Sequence, residues 1–287
     1  MKIIYCGSHE ILEYQEVKLF TEMQHEVFSL GGAYQNSNQG TSMRGPIPNF
    51  NIDPQLLVNP GTKVNISEEL INWADVILFI HNARADIKDH PQPWLNSNWD
   101  KLKKSKKPVV WRSIGQSHEQ VEESLKRFRK DGLKIVRYSP KEESIPSYPG
   151  SDALIRFYGD PSEFDGYTGQ IPSIVIVSQA LFGSDKVPSR GDHMNLQEFK
   201  QVVEGFDWKV FGRDNEKAGD NNGGKLSYDD LKSMLRFNRV GFYVGTRPAS
   251  YTLGFIEMFM TGMPIVSIGN DLGNSVYRDQ KTFEIPD

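Results

Sequence analysis

The stretch that decides the predicted fold is residues 226–270, LSYDDLKSMLRFNRVGFYVGTRPASYTLGFIEMFMTGMPIVSIGN, which predicts helix, strand, loop, helix and strand in that order. Ser227 and Asp230 have the spacing of a capping box, in which both side chains meet the free amides of a first helical turn. The apolar run at 240–244 is typical of a strand buried in a parallel sheet. A second helix and a second strand follow, so the stretch predicts a strand-helix-strand crossover of an α/β protein.

The loop and the helix start that follow this strand form a candidate anion-binding site. In open α/β sheets, ligands bind beyond the carboxyl ends of the strands, where a helix start offers free N–H groups and partial positive charge to an anion. Residues 250–254 occupy such a helix start, and Thr246 and Arg247 lie in the loop before it. The pattern therefore predicts a phosphate site, and the alternative is an ordinary crossover that carries one Glu on its helix.

The segment SYTLGFIEMFMTGMPIVSIG, residues 250–269, resembles the donor-site segment of a known enzyme family. The family is the retaining glycosyltransferases of the glycogen-synthase and sucrose-synthase type, the glycosyl transferases group 1. There, an E-x7-E motif precedes a small-residue turn, Gly-x-Pro and a buried strand. Glu257 matches the second Glu, and Gly262 and Pro264 match the turn. Ala249 stands where the family has its first Glu, which touches the transferred sugar.

The resemblance implies a set of donor-binding residues. In the family, the Glu that corresponds to Glu257 holds the ribose of the donor nucleotide, and the backbone amides before it meet the diphosphate. An Arg and a Lys early in the second domain also face the diphosphate, and Lys186 and Arg190 are both candidates for that role. The residues expected at the donor site are Glu257, Tyr251, Thr252, Leu253, Lys186, Arg190, Arg213, Thr246 and Arg247.

The resemblance also implies the GT-B fold, an α/β fold in which two Rossmann-like domains face each other across a cleft. The segment GDPSEF, residues 159–164, is similar to the GVD-x-x-x-F segment that connects the two domains in this family. We therefore expect an acceptor-side domain at 1–164 and a nucleotide-sugar donor domain at 165–287. Family members continue with further strands and helices, so we expect either a shortened second domain or a fragment.

Two residues after predicted strands of the first domain are candidate catalytic groups. His9 follows the strand at 2–6, where inverting GT-B enzymes carry a His base, and an unperturbed His pKa of about 6.5 suits proton removal at neutral pH. Arg112 follows the strand at 108–111 and could meet a donor phosphate, an acidic acceptor or a structural carboxylate. The opening βαβ unit lacks G-x-G-x-x-G, so a dinucleotide fingerprint is not predicted.

Composition and charge exclude several classes of partner and location. The formal net charge is −4 and the isoelectric point is near 5.9, so we expect no overall attraction to nucleic acid. The single cysteine, Cys6, cannot form an internal disulfide, which fits a reducing compartment. The sequence shows no signal-peptide pattern and no apolar run near the roughly 20 residues that span a bilayer. We therefore expect a cytoplasmic protein.

A run of lysines, KLKKSKK from Lys101 to Lys107, is the strongest local charge feature. Each Lys near anionic headgroups contributes on the order of 1 kcal/mol to membrane binding. One interpretation is therefore peripheral contact with the inner face of a membrane, and the other is a solvated helix end.

The predicted function is sugar transfer, with retention of configuration, from a nucleoside-diphosphate-sugar to an acceptor hydroxyl. The expected enzyme is a metal-independent hexosyltransferase that needs no cofactor besides its donor substrate. The acceptor, which could be a glycan, a lipid or a small molecule, stays open. The alternatives are a non-catalytic or degenerate nucleotide- or sugar-binding subunit, an inverting enzyme that uses His9, and a sugar-nucleotide epimerase.

Overall fold

The computed structural model describes residues 1–7, 10–29, 42–43, 65–80, 93–114, 117–156, 159–191, 196–244 and 253–267. The chain packs into two compact units, which we describe separately. Unit 1 comprises Met1–Ser37 and Gly45–Tyr158, and unit 2 comprises Asn38–Arg44 and Gly159–Asp287. The predicted domain boundary at residue 164 stays a prediction.

Unit 1 is a parallel sheet with helices between its strands. Its elements are β1 (Lys2–Cys6), α1 (Glu10–Glu22), β2 (Glu26–Ser29), α2 (Glu68–Trp73), β4 (Val76–Ile80), α3 (Pro93–Ser105), β5 (Val109–Arg112), α4 (Glu119–Lys130), β6 (Lys134–Arg137) and β7 (Ala153–Leu154). The six strands lie in the order β2-β1-β4-β5-β6-β7, and every neighbouring pair is parallel. Short 3-10 helices follow at Pro140–Ser144 and Pro161–Glu163, the second of them in unit 2.

The helices of unit 1 bury one apolar face against this sheet. In α4, the side chains of Val121, Leu125 and Phe128 recur at helical spacing, and all three are buried in the core. The last turn of α4 is basic, which suits the negative end of the helix dipole. The core also contains Phe79 and Trp111 from the middle strands, so the sheet is the centre of the unit.

Unit 2 contains a second parallel sheet. Its elements are β3 (Ser42–Met43), β8 (Ile171–Val177), α5 (Leu196–Val202), β9 (Trp208–Phe211), β10 (Asn222–Gly224), β11 (Leu226–Ser227), α6 (Tyr228–Phe237), β12 (Asn238–Tyr243), α7 (Leu253–Thr261) and β13 (Ile265–Ser267). Five strands lie in the order β10-β9-β8-β12-β13, all parallel. A 3-10 segment occupies Glu216–Asn221, and β3 pairs with β11 in a separate two-stranded sheet.

An aromatic cluster holds one side of the second sheet. The ring of Phe199 from α5 lies edge-on to Trp208 of β9 and to Phe242 of β12, with centroid distances of 5.2 and 5.1 Å. Phe182 stacks on Trp208 at 5.4 Å. Edge-to-face and offset-stacked pairs of this kind add to the free energy gained by burial. The cluster therefore fixes α5 and the loop after β8 on the sheet.

The crossover predicted from residues 226–270 is confirmed within the described ranges. The hydroxyl of Ser227 accepts a hydrogen bond from the backbone N–H of Asp230, so the predicted cap starts α6. Strand β12 begins two residues earlier than the apolar run, because Asn238 pairs with Ile171 of β8, and the pairing shifts register between Asn238 and Val240. In the part of the chain that the structure covers, no helix has the length and apolar composition needed to cross a membrane.

Candidate functional site

The strand order of unit 2 creates a topological switch point between β8 and β12. From β8 the chain passes through α5 to β9 on one side, and from β12 it passes through α7 to β13 on the other side. Ligands of open α/β sheets bind outside the carboxyl ends of the strands at such a point. Among the residues that the structure describes, the segments at this edge include the β8 loop (178–191), the β9 loop (212–215) and the start of α7.

Helix α7 lies close to the sheet at this edge. A Cβ atom added to Gly254 would lie 3.5 Å from both the Cβ and the carbonyl oxygen of Val177, at the end of β8. Farther along, a Cβ on Gly241 of β12 would lie 2.6 Å from the sulfur of Met258, so helix and sheet approach closely. The start of α7 therefore lies beside the carboxyl end of β8.

The predicted ribose ligand, Glu257, is on the buried side of α7. It follows Gly254 by three residues, and residues at this spacing share a helix face. Glu257 is only 2% exposed and is the one charged residue of α7. Its backbone carbonyl accepts a hydrogen bond from the Thr261 hydroxyl at 2.7 Å. A carboxylate thus lies within the packed side of the helix whose first residues reach the switch point.

The β8 and β9 loops are hydrogen-bonded to each other through Ala180. Its N–H donates to the carbonyl of Arg213 at 3.0 Å, and its carbonyl accepts from the N–H of Arg190 at 2.8 Å. The backbones of Arg190 and Arg213, both predicted donor-site residues, are therefore bonded to the same residue, Ala180. Lys186 is exposed in a turn of the same loop, where its N–H donates to the hydroxyl of Ser184 at 3.2 Å.

The side chain of Arg213 is held by its neighbours. Its Nε lies 3.5 Å from a carboxylate oxygen of Asp214. With the amide of Gln179 oriented so that its oxygen faces the guanidinium, that oxygen accepts from Nη2 at 2.9 Å and from Nε at 2.8 Å. A planar guanidinium with fixed donors suits recognition of phosphate or of a planar polar group. The β9 loop thus places an oriented cation at the edge of the sheet.

In unit 1, Arg112 forms a buried ion pair at the end of β5. It is 4% exposed, and its guanidinium contacts the carboxylate of Glu16 on α1. Its Nη2 donates to the carbonyls of Ile155 and Arg156 at 3.3 and 3.1 Å. Its positive charge is therefore already opposed by an internal carboxylate.

The carboxylate of Glu16 also accepts a hydrogen bond from the hydroxyl of Tyr5 at 2.8 Å. Burial raises the pKa of Glu16, and Arg112 and the Tyr5 hydroxyl oppose that rise. Burial likewise raises the pKa of Tyr5 well above its usual value, and the charge of Glu16 adds to the shift. Glu16 therefore has the features of a structural carboxylate. A structural carboxylate was one of the three partners that the sequence left open for Arg112.

The structure places the predicted donor residues that it describes in unit 2. Leu253 and Glu257 are on α7, Lys186 and Arg190 are on the β8 loop, and Arg213 is on the β9 loop. Arg112 belongs to unit 1. The predicted residues outside the described ranges are His9, Thr246, Arg247, Tyr251 and Thr252. The functional roles of all these residues stay predictions.

Two residues at this edge were not identified from the sequence, Gln179 and Asn215. Asn215 is fully buried and bonds the carbonyl of Ser178, which lies 37 positions earlier in the chain. Gln179 contacts Arg213 across a similar separation. A local sequence motif cannot reveal such pairs, because the two partners follow different strands that are far apart in the sequence.

Among the described residues of unit 1, three of the five lysines from Lys101 to Lys107 have acceptors. Lys101 donates to the side chain of Asn65 and to the carbonyl of Ile66, both at 2.5 Å. Lys103 pairs with Asp131 at 2.7 Å, and Lys107 reaches the carbonyl of Asn72 at 3.4 Å. Three of these lysines thus form contacts within the protein. Membrane contact by the run stays a proposal.

Comparison with known proteins gives likeness in structure alone. No protein-family model matches the chain, and no curated protein matches its sequence. The Anabaena protein HepE, solved in complex with UDP and glucose, is 10% identical with a TM-score of 0.54, covering 93% of this chain and 80% of HepE. Its complex with UDP gives 11% identity, a TM-score of 0.51 and the same coverage.

A glycosyltransferase from Rickettsia africae is 12% identical, with a TM-score of 0.51, over 93% of this chain and 78% of that chain. At such low identity these likenesses show the fold and leave function and residue roles untouched. The predicted fold class, α/β of the GT-B type with two Rossmann-like units, is confirmed.

Proposed function

We propose that the protein is a glycosyltransferase that moves a sugar from a nucleoside-diphosphate-sugar to an acceptor hydroxyl. The fold is shared with HepE, which has been solved with UDP and glucose, and with the Rickettsia glycosyltransferase. Within unit 2, a buried carboxylate and an oriented arginine lie on segments that meet at the carboxyl edge of a parallel sheet. The observation that carries the proposal is that Glu257 lies on α7 and Arg213 on the β9 loop, two segments that both follow the carboxyl ends of strands in one parallel sheet.

In this proposal the donor nucleotide binds along the carboxyl edge of unit 2. Glu257 holds the ribose hydroxyls, and the amides of Leu253 and of the two residues before it face the diphosphate. Arg213, together with Lys186 or Arg190, offsets the charge of the departing diphosphate. Cations and amides that are in place before reaction lower the barrier because they need no reorganisation as charge develops.

The finer features of the reaction belong to the same proposal. Retention of configuration, hexosyl transfer and independence of metal ions are supported by the resemblance of residues 250–269 to the group 1 glycosyltransferases. If the enzyme instead inverts, His9 is the proposed base. The anomeric configuration of the product, measured by NMR, separates these two mechanisms.

Calorimetric titration of UDP, GDP and ADP into wild type and Glu257→Gln tests the donor site. The substitution keeps the shape of the side chain but removes the charge that strengthens hydrogen bonds to ribose. We expect about 10- to 100-fold weaker binding of the preferred nucleotide, since hydrogen bonds to charged groups contribute about 1.5–3 kcal/mol.

Glu198→Gln is the matched control, because Glu198 is an exposed glutamate on α5 of the same unit. Equal nucleotide affinity in wild type and Glu257→Gln would contradict the site. A donor hydrolysis assay with UDP-, GDP- and ADP-sugars then distinguishes an enzyme from an inert binding subunit.

A further inference from the structure

The buried side-chain amide of Asn215 joins the β8 loop to the β9 loop, in addition to the bond between Ala180 and Arg213. The Nδ2 of Asn215 donates to the carbonyl of Ser178 at 2.8 Å and to that of Gly212 at 3.1 Å, with Arg213 at 3.4 Å. Its Oδ1 accepts from the N–H of Phe182 at 3.1 Å. Both ends of the amide are thus used, and they join segments that follow two different strands of the sheet.

The joined loops contain backbone conformations that are unfavourable for their residues. Ala180 has φ 54° and Asp214 has φ 62°, which is the left-handed region that residues other than glycine rarely adopt. Such a conformation is unfavourable and persists only when the surroundings of the residue determine it. Gln24, Lys106 and Ser147 have similar φ values outside this site, so the conformations of Ala180 and Asp214 indicate only that surrounding contacts hold the two loops.

The close approach of the two loops also depends on Gly212. Its φ is +134°, and a Cβ there would overlap the carbonyl oxygen of Ser178, the same oxygen that Asn215 bonds. A side chain at position 212 would therefore separate the loops. The geometry requires both a missing Cβ at Gly212 and a donor at Asn215.

Arg213 is anchored through these contacts at both its backbone and its side chain. Its carbonyl accepts from the N–H of Ala180 and from Asn215. Its guanidinium meets Gln179, the neighbour of Ala180. Loss of the Asn215 amide would leave the bond between Ala180 and Arg213 but would remove the bonds of Asn215 to Ser178, Phe182 and the Arg213 carbonyl, and so weaken the support of Arg213.

We propose, on the premise that unit 2 binds a nucleoside diphosphate as described above, that Asn215 is a positioning residue for that site. It acts through Arg213, by fixing the β8 and β9 loops before the nucleotide arrives. The loops are then already ordered in the folded protein, so nucleotide binding does not bear the free-energy cost of ordering them. Asn215 itself has no contact with the nucleotide in this proposal.

Titration of UDP, GDP and ADP into Asn215→Ala tests this role, at a temperature well below the unfolding transition of every variant. We expect about tenfold weaker binding of the nucleotide that wild type prefers, a change of about 1.4 kcal/mol, since the variant loses buried hydrogen bonds that support Arg213. Asn238→Ala is the control, because Asn238 is also a buried Asn in unit 2, with its Nδ2 bonded to the carbonyl of Met234 at 2.8 Å. It lies at the start of β12, at the opposite edge of the sheet, so its loss should leave nucleotide affinity within about twofold of wild type.

A double-mutant cycle with Arg213→Ala separates positioning from general loss of stability. If Asn215 acts through Arg213, Asn215→Ala should weaken binding less than about twofold in the Arg213→Ala background, because residues that act as a unit are not additive. Additive losses would overturn the proposal. If Asn215→Ala does not fold, Asn215→Ser, whose hydroxyl can still donate to one carbonyl, carries the same comparison.

The outcomes also separate this inference from the proposed function. Wild type that binds none of the three nucleotides would contradict the function itself. Wild type that binds one of them, with a folded Asn215→Ala that binds it equally well, would overturn only the positioning role of Asn215.

Discussion

Substitution of Arg112 by Met tests whether this residue is structural or catalytic. Arg112 and Glu16 are 4% and 6% exposed, and their ion pair joins β5 to α1. The substitution leaves the buried carboxylate of Glu16 with the hydroxyl of Tyr5 as its remaining described partner. Breaking a buried pair from one side costs about 3–5 kcal/mol, because the remaining charge is uncompensated. We expect Arg112→Met to lower the free energy of unfolding of unit 1 by that amount at pH 7.5.

The loss should depend on pH with a definite sign. Burial raises the pKa of Glu16 and Arg112 opposes the rise, so removal of Arg112 raises this pKa further. Native Arg112→Met then holds a proton that the unfolded chain releases above the unfolded Glu pKa of about 4.3. Its stability therefore falls as pH rises from about 4.3 through the raised native pKa. The deficit relative to wild type should be smaller at pH 5 than at pH 7.5.

Urea unfolding followed by tryptophan fluorescence measures these changes, since Trp94, Trp99 and Trp111 lie in the core of unit 1. Arg112→Met combined with Glu16→Leu should recover most of the loss, because an apolar pair can replace a buried ion pair. Arg127→Met, at an exposed arginine of α4, is the control. Unchanged unfolding of Arg112→Met with loss of sugar transfer would refute the structural role and support a catalytic one.

Two further predictions concern other parts of the chain. Gly212→Ala should destabilise unit 2 by at least about 1–3 kcal/mol, since φ is +134° and the new Cβ would overlap the carbonyl oxygen of Ser178. Urea unfolding followed by circular dichroism measures this change. A variant with the same free energy of unfolding as wild type would contradict the prediction. In unit 1, burial raises the pKa of Glu142, which lies 3.4 Å from Arg137, so this carboxyl makes wild type less stable as pH rises above about 4.3. The free energy of unfolding of Glu142→Gln, taken relative to wild type, should therefore increase between pH 5 and pH 7.5. If the unfolding free energies of the two proteins changed equally with pH, the prediction would be wrong.

The sequence predicted those parts of the fold that depend on local pattern. The apolar run before Gly245 and the Ser227 cap defined β12 and α6, because strand burial and helix capping act over a few residues. The same reasoning placed β1 at Lys2–Cys6 as observed. Local signals of this kind fixed the α/β class.

The contacts of the candidate site could not be predicted in this way. The position of Arg112 after a strand was visible in the sequence, but its partner Glu16 comes from a helix near the start of the chain. The sequence places Asn215 in the loop after the strand at 209–211, a loop that resembles the second donor-side loop of the family, but only the meeting of two strand ends brings it to Ser178. Sequence spacing identifies residues at a sheet edge, whereas the packing of the edge decides which of them touch.

Hydrogen exchange of wild type, with and without saturating nucleotide, tests the central claim most directly. The ligand is whichever of UDP, GDP and ADP binds most tightly by calorimetry. The account predicts slower amide exchange in peptides from the β8 loop (178–191), the β9 loop (212–215) and the first turns of α7. Unchanged exchange in all three segments while the nucleotide is bound would contradict a donor site at the carboxyl edge of unit 2.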